Sequence, residues 1–163
     1  MDEGFTIRTY RAADLPRLQE ITGQTFGPVS IDRNMEGQLG EFGEGGWRGR
    51  KVAAIADDCR LQPDGVFVVE KPADGRVVGY VTTRLNATSR VGWIPNLAVD
   101  PAQQGKGLGR ALLKHAIGFF RASGMQVAKI ETLEQNPIGQ SLYPSLGFKE
   151  VARQIHFAMR LDQ

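Results

Sequence analysis

DPAQQGKGLGRALL, residues 100–113, sets Gly105, Gly107 and Gly109 alternately with Lys106 and Leu108, and a helical pattern follows at once. Glycine at the mouth of a helix lets something come close to the backbone. The first turn of a helix holds N–H groups without intrahelical partners, and the macrodipole adds roughly half a positive charge there. Glycines remove the side chains that would hold a bulky diphosphate away, and Lys106 and Arg110 add mobile cations. The stretch therefore has the physics of an anion site. It fits neither common phosphate template. A P-loop needs Ser or Thr after Gly-Lys, and none follows Lys106. A dinucleotide fingerprint needs Gly or Ala where Arg110 or Leu112 stands. The pattern is instead Q-x-x-G-x-G, from Gln104 to Gly109. The loop alone leaves open a tight strand-to-helix turn with no ligand.

The 163 residues suit one domain, taken as 1–163. A composition of 41% hydrophobic and 23% charged residues is that of a globular protein. A net charge of +2 gives no strong pull toward nucleic acid or membrane, so neither is expected as a partner. One cysteine, Cys59, fits a reducing compartment and reads as a small residue on a helix. No apolar run approaches the ~18 residues that span a bilayer. The acidic, then alternating N-terminus is wrong for a signal peptide, so a cytoplasmic location is expected.

FTIRTYR (5–11) alternates as a strand, and ADLPRLQEIT (13–22) places Leu15, Leu18 and Ile21 on one helical face with Asp14 as N-cap. Residues 27–46 hold six glycines and read as a loop or a poorly specified helix. Helical spacing returns over 47–60. VFVVEK (66–71) and RVVGYVTTRL (76–85) flank an Asp-Gly turn and predict a hairpin. RVGWIPNLAVD (90–100) is a strand in which Pro95 cannot donate a ladder bond, so a bulge or parting of strands is expected near it. A helix over 107–124, a buried strand over 127–133 and a short helix over 137–147 follow. Residues 148–161 read as two strands, or one bent strand, closing the sheet. The strand–helix–strand run of 91–133 predicts one right-handed parallel crossover.

An interrupted strand, NLAVD, leads into the glycine loop, and NPIGQSLYPSLGF (136–148) lies downstream. With these two segments in this order, the chain resembles the GCN5-related N-acetyltransferase (GNAT) superfamily. The resemblance is most specific over 91–148 and is by pattern alone in the N-terminal half. It implies a mixed α/β fold: a mostly antiparallel seven-stranded sheet with one parallel, splayed strand pair and about four helices. It implies an acetyl-CoA-dependent N-acetyltransferase acting on a primary amine by direct attack in a ternary complex. By that match the backbones of Leu97 and Val99 hold the pantetheine arm, with the Leu97 amide near the thioester carbonyl. Gln104, Gly105, Gly107, Gly109 and Arg110 match positions lining the pyrophosphate, and Asn136 one that touches pantetheine. Tyr143 matches the general acid: a phenol of pKa ~10 can hand a proton to a thiolate leaving group.

The general base is less constrained. Glu131, on the strand before Asn136, is favoured through the same resemblance and because a mid-strand carboxylate is costly unless used. Glu134 and water alone are the alternatives. Residues 25–60 and 152–156 are expected to form the acceptor site, where Glu36, Glu41 and Glu44 either attract a cation or form a solvated mixed-charge loop. His115 and His156 read as structural, with His156 a possible lining of the acceptor pocket. Trp47 with Arg48, Arg50 and Lys51 reads as a helix with an apolar anchor, not a nucleic-acid patch. No His/Cys/Asp/Glu spacing suits a metal, so none is expected. Exposed sheet edges make a homodimer a weaker expectation. The rival of a different class is a non-catalytic CoA-binding sensor or assembly module.

Overall fold

A computed structural model describes residues 4–162 of the chain. Its elements are β1 (Thr6–Thr9), α1 (Leu15–Thr25), α2 (Ile31–Leu39), α3 (Gly46–Leu61), β2 (Phe67–Glu70), β3 (Val77–Val81) and β4 (Arg84–Asn86), followed by β5 (Val91–Ile94), β6 (Leu97–Val99), α4 (Leu108–Ala122), β7 (Val127–Ile130) and α5 (Pro137–Ser145). The seven strands form two sheets, where one was expected. The first has the order β1-β2-β3-β6 and is antiparallel throughout. The second has the order β4-β5-β7, with β4 antiparallel and β7 parallel to β5. The cause is a pair of facing interruptions. One long arm breaks at Thr82–Thr83 between β3 and β4, and the other at Pro95–Asn96 between β5 and β6. Five α-helices surround the sheets, against about four expected.

VFVV is buried on both faces, and its alternation splits the core. Phe67 and Val69 pack with Leu108, Leu112, Leu113, Ala116 and Phe120 around α4. Val66 and Val68 pack with Leu18, Ile21, Ile55, Cys59 and Tyr80 under α1 and α3. The Tyr80 hydroxyl is satisfied at 2.7 Å by that of Thr22. Phe120 lies so close to β5 that a Cβ on Gly92 would meet its ring at 2.4 Å, so only glycine fits there.

The glycine-rich segment, left open between a loop and a poorly specified helix, contains a helix, α2, none of whose residues is buried. Arg50 of α3 holds it, bridging Asp32 at 3.2 Å and Glu36 at 3.1 Å and stacking over Phe42. Asp14 does not cap α1 with its side chain; it accepts from the Arg11 N–H and pairs with Arg8.

Residues 148–161 form no strand. Val151, Ile155, Phe157, Met159 and Leu161 are 76–93% exposed. Arg153 pairs with Glu134, and Arg160 donates to the carbonyls of Leu39 and Glu41. Among the described residues no strand pairs with the far edge of β7, and Val127 on it is 55% exposed. The strand expected over 127–133 ends at Ile130 and is half-exposed.

Candidate active site

The gap lies where the two sheets part. β6 ends the first sheet and pairs on one side only, with β3. The Asn96 carbonyl accepts from the Thr82 N–H at 2.9 Å, and the Asp100 N–H donates to the Val78 carbonyl at 2.8 Å. Antiparallel alternation therefore turns the N–H and C=O groups of Leu97 and Val99 to the opposite, unpaired edge. The Val99 carbonyl accepts from the Gln104 side chain at 3.1 Å. β7 pairs with β5 only as far as Ile94–Ile130, so it does not close this edge. The sequence expectation of a parting near Pro95, with Leu97 and Val99 beside it, matches this geometry.

The glycine loop opens at one end of the gap. Asp100 starts it, accepting from the Ala102 N–H at 2.9 Å and pairing with Arg17 of α1. Gly105 and Gly107 have φ of +80° and +76°, which a side chain would strain, and a Cβ on either would meet nothing within 4 Å. Gly107 is the N-cap of α4 and brings no capping side chain. No side chain caps the first-turn N–H groups of α4. Gly109 has no left-handed φ, and a Cβ there would touch Leu142 only at 3.8 Å. Arg110 reaches across to α5 and donates to the Ser145 hydroxyl at 2.8 Å. Lys106 donates to Gln103 at 2.7 Å on the surface.

α5 begins at Asn136, whose side chain accepts from the Gly139 N–H at 3.3 Å and donates to the Thr132 hydroxyl at 2.9 Å. In this structure Asn136 is the helix cap. Two turns on, Tyr143 packs against the α4 core and the edge of Phe148. Burial pushes its hydroxyl up to about 12. Such a phenol keeps its proton at neutral pH.

Glu131 sits just past the end of β7, and its side chain is 49% exposed, not buried in a strand. The expected reason for favouring it, the cost of a buried carboxylate, does not apply. It shares a face with Lys129, which it meets at 3.0 Å, and with Trp93, whose indole N–H donates to it at 2.6 Å. Ala128 and Ile130 turn to the α4 core instead, so Glu131 lies on the opposite face. Glu134 is more exposed still and pairs with Arg153. On the acceptor side, Glu36 is committed to Arg50. Burial pushes the Cys59 thiol up to about 11, which makes it a poor nucleophile. His115 packs edge-on to Phe67 at 4.4 Å in a structural setting. Among the described residues no three His, Cys, Asp or Glu side chains gather as metal ligands.

Sequence reasoning missed the group at the seam. Asp58 of α3, 5% exposed, accepts from Thr82 at 2.8 Å, Asn96 at 2.7 Å and Arg84 at 2.6 Å. Lys51, two turns earlier on α3, donates to Asn96 Oδ1 at 2.6 Å and lies over the Phe26 ring. Asp58 and Lys51 seven residues apart share one helix face, but their partners lie on distant strands, so spacing alone could not reveal the network.

Residues 33–148 match the Acetyltransferase (GNAT) family. The chain belongs to this family. Mycothiol acetyltransferase of Stackebrandtia nassauensis is 27% identical over 161 residues, 97% of this chain and 49% of that protein. Mycothiol acetyltransferase of Thermomonospora curvata is 30% identical over 151 residues, 92% of this chain and 46% of that protein. The chain thus spans about half the length of these curated relatives. Among solved structures, the Escherichia coli ribosomal-protein-S18-alanine N-acetyltransferase aligns with a TM-score of 0.65 at 25% identity, covering 91% of this chain and 79% of that one. The yncA protein of Salmonella typhimurium, solved with its cofactor acetyl-CoA, aligns with a TM-score of 0.70 at 24% identity, covering 99% and 88%. These likenesses establish the GNAT fold, with its parted sheet and its parallel β5–β7 pair.

Proposed function

We propose that the chain transfers the acetyl group of acetyl-CoA to a primary amine by direct attack in a ternary complex. One observation carries the reading: the unpaired backbone edge of Leu97 and Val99 runs into the bare N-terminus of α4. The edge suits an amide-bearing pantetheine arm, which adds to it as a strand would. The helix mouth suits the pyrophosphate, with Gln104, Gly105, Gly107, Gly109 and Arg110 around it. Asn136 would turn from its capping role to meet the arm. The residues present fit this cosubstrate.

In the chemistry that follows, the acceptor nitrogen loses a proton to Glu131, directly or through water. Its lone pair then forms the C–N bond at the thioester carbonyl. The Leu97 N–H supports the developing oxyanion, a contribution of a few kcal/mol. The tetrahedral species collapses with cleavage of the C–S bond, Tyr143 protonates the departing sulfur, and the surplus proton on the new amide nitrogen passes to the Tyr143 phenolate, directly or through water. The products are an N-acetyl amide and CoA thiol.

The mycothiol acetyltransferases and the S18-alanine N-acetyltransferase, by their names, supply one small-molecule and one protein-amine class for an acceptor panel. No helix among the described residues is long and apolar enough to cross a membrane. The single buried cysteine supports a cytoplasmic setting. The open β7 edge and the exposed 151–161 segment support a homodimer in which each copy covers the other's apolar residues. The test is release of CoA thiol with the amine panel, beside calorimetric binding of acetyl-CoA. Turnover on an amine supports the transferase. Binding with no turnover on any amine favours the non-catalytic CoA module, and no binding overturns both.

A further inference from the structure

The breaks in the two long strand arms face each other, and a buried polar group fills the seam. Asn96 is 6% exposed, and all of its hydrogen-bonding groups are engaged. Its side-chain oxygen accepts from Lys51 at 2.6 Å, and its side-chain nitrogen donates to Asp58 at 2.7 Å. Its backbone N–H donates to Thr82 Oγ1 at 3.1 Å, and its carbonyl accepts from the Thr82 N–H at 2.9 Å. Asp58 in turn ties to Thr82 and Arg84, so α3 is bolted to both sides of the seam. Buried polar groups are costly when unpaired and rigidifying when satisfied; every polar group of Asn96 and both Asp58 oxygens are paired here, while Arg84 Nε is not.

The consequence falls on the next residue. Asn96 and Leu97 share one planar trans peptide, in which C=O and N–H point in opposite directions. Holding the Asn96 carbonyl toward β3 therefore aims the Leu97 N–H into the gap. We propose that Asp58, Lys51 and Asn96 are positioning residues for the transfer step, clamping the 96–97 peptide so that its N–H is fixed toward the thioester oxygen before substrate arrives. A preorganised donor needs no reorganisation as charge develops, which is the main source of its effect. This inference rests on the reading of Leu97 as that donor.

The test is carbonyl infrared difference spectroscopy of acetyl-CoA labelled with carbon-13 at the thioester carbon, read with steady-state kinetics. Wild-type protein is expected to move the bound carbonyl band to lower wavenumber than in free acetyl-CoA. Asn96→Ala and Lys51→Met are expected to lose about half of that displacement or more. Their kcat should fall roughly ten- to a hundredfold while KM for acetyl-CoA moves less than about threefold. Lys51→Arg, which keeps a donor, should restore both. Thermal unfolding of each variant reports folding separately, since a purely structural role would lower the melting temperature and leave the band in place. An undisplaced wild-type band overturns the Leu97 reading and the proposal with it. A displaced wild-type band that the variants retain overturns the proposal alone.

Discussion

Replacing Tyr143 by Phe removes one oxygen and leaves the ring to pack against Phe148 and the α4 core. Stability should therefore change little, and the loss should fall on chemistry. Burial holds the hydroxyl at about 12. A group acting as an acid works while protonated, so its activity is present below its pKa and lost as pH rises through it. At pH 10 a phenol of pKa 12 is only about 1% ionised, whereas an ordinary one is about half ionised. Wild-type kcat should accordingly show no fall between pH 7 and 10 from this residue, because its basic limb is moved upward. Loss of a general acid costs about 10²–10⁴ in rate. Tyr143→Phe should lower kcat by about that factor, with KM for acetyl-CoA within about twofold, because the ground state keeps its contacts. The assay is thiol release over pH 6–10. Full activity in the variant, or a wild-type basic limb near 10 that the variant abolishes, would refute the reasoning.

Gly107→Ala places a side chain at φ +76°, which costs about 1–2 kcal/mol and should lower the melting temperature by roughly 2–8 °C. It also crowds the helix mouth, so calorimetry should show CoA affinity falling about tenfold, the worth of one weakened charge-assisted bond; an unchanged affinity would remove the loop from the phosphate site. Glu131→Gln should slow amine acetylation at least about tenfold near pH 7, with the deficit shrinking as pH rises toward the amine's own pKa. A deficit independent of pH would count against Glu131 as base. Phe157→Asp puts a charge into the exposed apolar row and should shift light-scattering mass from dimer to monomer; a wild-type monomer would overturn the dimer.

The elements around the glycine loop were readable because local chemistry dictates them. Gly105 and Gly107 require left-handed backbone, Pro95 cannot join a ladder, and Asp74-Gly75 makes the hairpin turn with Gly75 at φ +64°. These local features are enough to mark the parting strands and the helix mouth. Reading failed where the outcome depends on distant partners. α2 buries none of its own residues and is held by Arg50, which its own sequence does not contain. The apolar alternation of 151–161 describes a strand only if a ladder partner exists, and among the described residues none pairs with it. Glu131 is expected on a buried strand, but the early end of β7 leaves it half-exposed. Asp58, Lys51 and Asn96 sit on separated elements, and only tertiary packing brings them together.

The central claim is that acetyl-CoA lies along the β6 edge and caps α4 with its pyrophosphate. Backbone amide NMR of the labelled protein, titrated with acetyl-CoA, reads this directly. The account predicts that the largest downfield displacements fall on the Leu97, Gly107 and Gly109 N–H groups, which gain acceptors on binding. Displacements confined to other elements, with these amides unmoved, would contradict it.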